Sequence, residues 1–117
     1  MPPKELEYWY KATVLSIHDG DTMTLRIDMG RRISIEDSIR FHRINAPELS
    51  QAGGRESRDY LRSLVPIGSE VRVQTFKNVN DKYGRWLGDV WIDPGTGVLM
   101  CLNDRMVEAG HAQYRTY

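Results

Sequence analysis

The amino-acid sequence predicts a five-stranded, partly open Greek-key barrel with two helices, all in one domain. Three observations carry that expectation. Apolar residues alternate with polar ones in five short runs. Two stretches of helical spacing interrupt and follow these runs. The 117 residues contain no linker, repeat or low-complexity tract that would mark a second domain. A chain of this size buries roughly two thirds of its unfolded surface, enough for one core. Small barrels with an inserted helix are of the OB type, which commonly binds oligonucleotides across one face.

Each element has a local reason. Residues 1–7 read as a loose polar arm. Tyr8 to Ile17 is rich in aromatic and β-branched residues, the composition of a strand. Asp19-Gly20 marks a tight turn into a second strand, with Met23, Leu25 and Ile27 on one face and Thr22, Thr24, Arg26 and Asp28 on the other. Gly30 breaks that strand, and Ile33 and Ile35 begin a third, which Glu36-Asp37-Ser38 is expected to bulge or bend. Ile39, Phe41 and Arg43 then alternate with Arg40, His42 and Ile44 until Ala46-Pro47 ends the strand.

Arg55 to Val65 has helical spacing, with Leu61, Leu64 and Val65 on one side. Val71, Val73 and Thr75 mark a fourth strand. Lys77 to Arg85 reads as a polar loop and Trp86 to Ile92 as a fifth strand. A second helix spans about Cys101 to Ala109 and stops at Gly110.

Composition excludes several classes. Hydrophobic residues at 40% and charged residues at 27% are incompatible with disorder. Sixteen basic and sixteen acidic residues cancel, so any footprint for a polyanion must be local. The lone Cys101 excludes an internal disulfide and a Cys-rich zinc site, and its apolar neighbours give it a packing role. No apolar run approaches the roughly 20 residues of a membrane helix, so no membrane partner is expected. The polar start lacks the hydrophobic region of a leader, which places the protein in the cytoplasm unless a leader has been lost. A monomer is expected. His18, His42 and His111 lack zinc-ligand spacing, and Trp9, Trp86 and Trp91 read as core or barrel-face residues. Neither a nucleophile elbow nor a Gly-rich phosphate loop is present.

Three segments concentrate charge. His18-Asp19-Gly20-Asp21-Thr22 reads as a hairpin turn or as a carboxylate site for a hard cation. Arg40 to Glu48 places a cation and a carboxylate on either side of a strand-ending Ala46-Pro47. Asn80 to Arg85 reads as a polar connection that also clusters Lys82 and Arg85 around Tyr83, groups suited to phosphate and to base or sugar.

Together these segments resemble the staphylococcal-nuclease-like (thermonuclease) family. The resemblance runs from about Lys11 to Tyr114. It rests on Asp-Gly-Asp-Thr at 19–22, Arg40 with Pro47-Glu48, Asp81-Lys82-Tyr83-Gly84-Arg85, and the closing segment Asn103 to Gly110. The motifs are specific in combination and in this order. The resemblance implies an OB-fold, Ca²⁺-dependent nuclease that cleaves DNA and RNA with little sequence preference and leaves a 3′-phosphate. It further implies that Asp21, Asn45 and the Ala46 carbonyl hold the metal and that Glu48 is general base on the attacking water. Arg40 and Arg85 would grip the phosphoryl oxygens. Lys82 and Tyr83 would line the nucleotide pocket, with Tyr114 a further substrate contact.

The chemistry is coherent in its own right. A phosphodiester anion repels a hydroxide nucleophile. A cation polarises the phosphoryl oxygen, a placed carboxylate base contributes about 10²–10⁴-fold, and two arginines stabilise charge on the equatorial oxygens.

Asn45 departs from the family pattern, which has aspartate there. An amide oxygen ligates Ca²⁺ without charge, so weaker metal binding is expected. The family's third helix has no counterpart before Tyr117, and Asp28 to Ser38 is longer than the usual hairpin. Two rival readings are a catalytically silent nucleic-acid-binding module and a protein-interaction domain. Asp21, Arg40, Glu48 and Arg85 occurring together favour the enzyme, while neutral net charge and Asn45 favour the rivals.

Overall fold

The structure is a computed structural model that describes residues 7–80 and 86–115, with side chains described over 8–75 and 86–115. Residues 1–6 of the expected N-terminal arm lie outside the described residues. Glu7 already belongs to the first strand and pairs with Phe76, so the expected arm gives its last residue to the strand.

The elements are β1 (Glu7–Asp19), β2 (Thr22–Gly30), β3 (Ile33–Phe41), β4 (Ile44–Asn45), α1 (Gly54–Leu64), β5 (Glu70–Asn80), β6 (Trp86–Ile92), β7 (Met100–Cys101), α2 (Leu102–Glu108) and β8 (Gln113–Tyr114). The principal sheet has the order β3-β2-β1-β5-β6-β7, and a parallel pairing of β3 with β6 closes it on itself. The five long strands are the five expected, joined into a barrel that the two helices cover. No helix among the described residues is long and apolar enough to cross a membrane.

Why these residues face inward is clear in β2, where Met23, Leu25 and Ile27 alternate and are fully buried. In β1 the buried set is Ala12, Val14 and Ile17, whose last spacing is three. The register shift between Val14 and Ser16 accounts for it, because an extra residue there resets the period of two. Ile39, Phe41, Ile44, Leu61, Leu102 and Met106 complete the centre of the core. Each such side chain contributes roughly 1.5–3 kcal/mol on burial.

Three expectations need correction. The expected irregularity at Glu36-Asp37-Ser38 does not occur: these residues pair in continuous register with Arg26, Leu25 and Thr24. The third strand does not continue by alternation to Ile44. It ends at Phe41, and Arg43 turns the chain in the left-handed region at φ 72° before the short β4. Finally, β5 runs on to Asn80, so the first part of the expected loop Lys77 to Arg85 is strand, and residues 81–85 lie outside the described residues.

α1 spans Gly54–Leu64 and follows Gly53, whose positive φ of 83° turns the chain into it. It buries Ser57 and Leu61 against the barrel. α2 ends in a Schellman arrangement: His111 N–H donates to the Met106 carbonyl (2.9 Å) and Gly110 N–H to the Val107 carbonyl (3.0 Å).

A buried carboxylate and arginine at the barrel end

The β1–β2 hairpin and the end of β3 meet at one end of the barrel. Thr22 pairs with Arg40 in the β2–β3 ladder, and Phe41 N–H donates to the Asp21 carbonyl at 2.7 Å. That register brings the side chains of Asp21 and Arg40 together. Arg40 Nη1 lies 3.1 Å from Asp21 Oδ2, and both side chains are almost fully buried. Strand alternation alone would point one side chain of the Ile39–Phe41 stretch to solvent. Instead all three are buried, because β4 and its following loop cover the arginine.

Arg40 is held by more than its carboxylate. Nη1 also donates to the carbonyls of Phe41 (3.0 Å) and Ile44 (3.1 Å), and Nη2 donates to Asn45 Oδ1 (3.0 Å). Asp21 Oδ2 accepts from Ala46 N–H (2.8 Å), and Oδ1 accepts from Thr22 Oγ1 (3.0 Å). Asp19 is buried beside it and caps the turn, its Oδ1 accepting from Asp21 N–H at 3.1 Å. Burial pushes the Asp21 carboxyl up to about 6, reinforced by the neighbouring Asp19 carboxylate and opposed by Ala46 N–H and Arg40. Asp19 and Asp21 thus bring two buried carboxyl groups to a corner with one buried arginine.

The structure brings together Asp21, Arg40, Asn45 and Ala46. Glu48 stands three residues past Asn45 and is exposed, its N–H donating to Gln51 Oε1 at 2.9 Å. Lys82, Tyr83 and Arg85 lie outside the described residues. Tyr114 is exposed on β8, opposite Ile44, and its hydroxyl donates to Asp104 Oδ1 at 2.9 Å. It is thus tied to α2 rather than to the Asp21–Arg40 pair.

Among the described residues, no three His, Cys, Asp or Glu side chains form a metal-holding group. The side-chain oxygens that gather here belong to the Asp21 carboxylate and the Asn45 amide, both in contact with Arg40, and it is the Ala46 N–H that reaches Asp21. Carboxylate and amide oxygens are the hard donors that suit Mg²⁺ or Ca²⁺. The donor chemistry fits a divalent cation, with fewer charges than a tight site requires.

Beside this corner opens a cleft of about 610 Å³, lined by Asn45, Pro47, Gly53, Glu56, His111 and Gln113 among others. Its size suits a small ligand. It borders the site rather than containing the Asp21–Arg40 pair.

Sequence reasoning missed Ser57 and Asn103. Ser57 lies four residues before Leu61 on the apolar side of α1, and its Oγ–H donates to the His111 carbonyl at 2.9 Å. A small polar residue within an apolar stripe was the available signal. Asn103 is fully buried: Nδ2 donates to the carbonyls of His42 (2.8 Å) and Gly88 (3.1 Å) and to Asp89 Oδ1 (2.8 Å), and Oδ1 accepts from Val90 N–H (3.0 Å). Next to it, Arg43 binds Asp89 (3.3 Å) and Asp104 (2.9 Å). These contacts fasten the turn between Arg40 and Asn45 to β6 and α2.

Comparison with known proteins places this arrangement in a family. The family model described as staphylococcal nuclease homologue matches residues 38–117. An uncharacterized endonuclease of Escherichia coli O157:H7 is 40% identical over 107 residues, covering 88% of this chain and 62% of that protein. Micrococcal nuclease of Shigella flexneri is 37% identical over 113 residues, covering 92% of this chain and 60% of that protein. Endonuclease YhcR of Bacillus subtilis (strain 168) is 28% identical over 121 residues, 94% of this chain but 9% of that protein. The chain thus spans about three fifths of the length of the first two relatives. By the family match and by the motifs at 19–22, 40–48 and 81–85, it belongs to the staphylococcal nuclease homologues.

Proposed function

We propose that this chain is a divalent-metal-dependent nuclease that hydrolyses phosphodiester bonds of DNA or RNA with little sequence preference. The observation that carries the reading is the buried contact of Asp21 with Arg40 at 3.1 Å, with Asn45, Ala46 and Glu48 following on the adjoining turn. The endonuclease and nuclease names of the relatives support it.

The division of labour follows from the side chains. Asp21, Asn45 and the Ala46 carbonyl would hold the cation, with Ca²⁺ the expected ion. When bound, it would supply charge neutralisation for a phosphoryl oxygen. Arg40 has five N–H donors. Nη1 is shared among Asp21, Phe41 and Ile44, and one Nη2 hydrogen goes to Asn45. Among the described residues this leaves Nε–H and a second Nη2 hydrogen for a phosphoryl oxygen, on a guanidinium held by four contacts. Such a preorganised donor favours the charge that builds on the transition state. Glu48, exposed on the turn after β4, takes the proton of the attacking water. Arg85, Lys82 and Tyr83 complete the reading on the segment outside the described residues, the first as a second phosphoryl clamp and the others against the nucleotide.

A second reading is a binding module of the same fold without activity. The uncharged Asn45 and the neutral net charge favour it. One experiment separates the two. Purified protein is incubated with single-stranded and duplex DNA in Ca²⁺, in Mg²⁺ and in chelator, beside Glu48→Gln. Cleavage that needs a divalent ion and falls about 10²–10⁴-fold in Glu48→Gln supports the enzyme. A gel shift with no cleavage under any ion supports the binding module, and cleavage undiminished in Glu48→Gln indicates a contaminant.

A further inference from the structure

The outward face of β1, β5 and β6 carries features that the barrel core does not need. Arg72 on β5 lies between Lys11 of β1 and Trp91 of β6, each its direct cross-strand partner. Trp9 lies one pair further along β1, opposite Gln74, and stays 48% exposed. Its ring meets that of Trp91 with centroids 6.0 Å apart and planes at 45°. Trp91 is held in place, its Nε1–H donating to Gln74 Oε1 at 3.3 Å. Among the described residues, neither Lys11 nor Arg72 enters a salt bridge.

These residues line a groove of about 730 Å³. A second groove of about 370 Å³ adjoins it through Lys11 and Glu70 and adds Arg26 and Arg32. Of the bordering acids, Asp93 is turned into its own loop, where it accepts N–H groups from Gly95, Thr96 and Gly97 at 2.8 to 3.0 Å. In the second groove Asp28 accepts N–H from Gly30 at 2.8 Å and Arg26 is paired with Glu36 at 3.3 Å, while Glu70 remains as a local negative charge. The result is a track of aromatic faces, with Trp91 pinned by Gln74, beside Lys11, Arg72 and Arg32, none of which enters a salt bridge among the described residues. That is the pairing by which sequence-tolerant sites take single strands: rings stack on bases and cations follow the phosphates.

We propose that this face is a second contact surface for single-stranded nucleic acid, apart from the Asp21–Arg40 corner. It rests on the nuclease reading only in the choice of ligand class. Lys11 and Asp19 are eight residues apart on β1, up to about 26 Å at 3.3 Å per residue, so a long strand spans both places and a dinucleotide does not. Trp9 and Trp91 take bases, and Lys11 and Arg72 take the adjoining phosphates.

The test is fluorescence anisotropy of a labelled single-stranded oligodeoxythymidine of about 20 residues, in chelator so that nothing is cleaved. Trp9→Ala is expected to weaken binding about tenfold. Lys11→Ala with Arg72→Ala is expected to reduce the slope of log affinity against log salt by roughly 1.4, for two lost single-strand contacts. Circular dichroism and thermal unfolding identify any variant that fails to fold. Wild-type binding that is absent at low salt, or equal in all folded variants, would overturn the proposal and leave a protein partner as the occupant. Where cleavage is present, the same variants should lower kcat/KM for long single strands and spare a dinucleotide substrate. If no cleavage occurs, the anisotropy result still decides the matter, so failure of the enzyme reading and failure of this surface are told apart.

Discussion

Ser57 Oγ occupies the space that a side chain on Gly20 would need, and Ala46 Cβ lies 2.9 Å from the same point. The hairpin tip between Asp19 and Asp21 is therefore pressed directly onto α1 and onto the turn after β4. The close approach of these segments, rather than an unusual backbone angle, is what requires glycine there. It also fixes the height at which Asp21 enters the barrel end.

Replacing Gly20 by alanine should push the hairpin off the helix. A loss of about 1–3 kcal/mol is expected from overpacking, read as a lower urea midpoint at unchanged slope. Gly20→Ala combined with Ser57→Gly should recover part of it, despite the roughly 1 kcal/mol that glycine costs inside a helix. Strictly additive losses in the double variant would place the clash elsewhere.

The raised Asp21 carboxyl makes a pH prediction for the metal-free protein. Its folded value, about 6, lies above the ordinary aspartate value of 3.8. Between these two values the folded state binds more protons than the unfolded state, so stability must fall as pH rises through that window. The loss at neutral pH is on the order of 2–3 kcal/mol. Asp104, held below the ordinary range by Arg43 and Tyr114 against the effect of burial, works in the opposite direction. The difference between wild type and Asp21→Asn, measured in chelator across pH 4 to 7, isolates the Asp21 part. A flat difference would mean that Asp21 is not raised.

Asn45→Asp should add the charge that the corner lacks. The amide oxygen already accepts from Arg40 Nη2, and a carboxylate fits the same place. Calorimetry is expected to show Ca²⁺ binding about tenfold tighter, or about 1.4 kcal/mol, with unchanged circular dichroism. Equal affinity in the two forms would remove residue 45 from the cation site.

Asn103→Ala would strip the partner from Val90 N–H and from the part-buried His42 carbonyl, while the Gly88 carbonyl keeps His42 N–H. Each buried group left unpaired costs about 1–3 kcal/mol, so a loss of about 2 kcal/mol or more is expected in urea titration. Asn103→Asp should not restore the protein, because a carboxylate cannot donate to either carbonyl. Near wild-type stability in either variant would mean that water replaces the side chain.

Much of this architecture was legible from local pattern. The alternation of Met23, Leu25 and Ile27, the spacing of Leu61, Leu64 and Val65, and Gly110 after the last helix each announce their element. Local pattern failed where distant segments decide the outcome. Arg40 sits between two core residues of an alternating strand, yet it is buried because β4 folds back over it. Ile17 faces inward only because β1 changes register. Arg43 alternates with Ile39 and Phe41 in the sequence, yet it leaves the strand with a positive φ and meets Asp104, far along the chain. Within the candidate site, Asp21 and Arg40 came from the motifs. The burial of Asp19 and the fastening of the Arg40–Asn45 turn by Asn103 belong to packing that no short motif encodes.

The seam between β3 and β6 has a consequence for how the protein comes into being. It joins Ile39, Arg40 and Phe41 to Trp86, Leu87 and Gly88, strands far apart in the chain that run in the same direction. Non-local pairings of this kind are slow to form, since the chain between them must be ordered first. The first three strands can pair as a local meander, but the barrel stays open along Ile39–Phe41 until Trp86–Gly88 reach it. The closing seam is therefore expected to form late in folding.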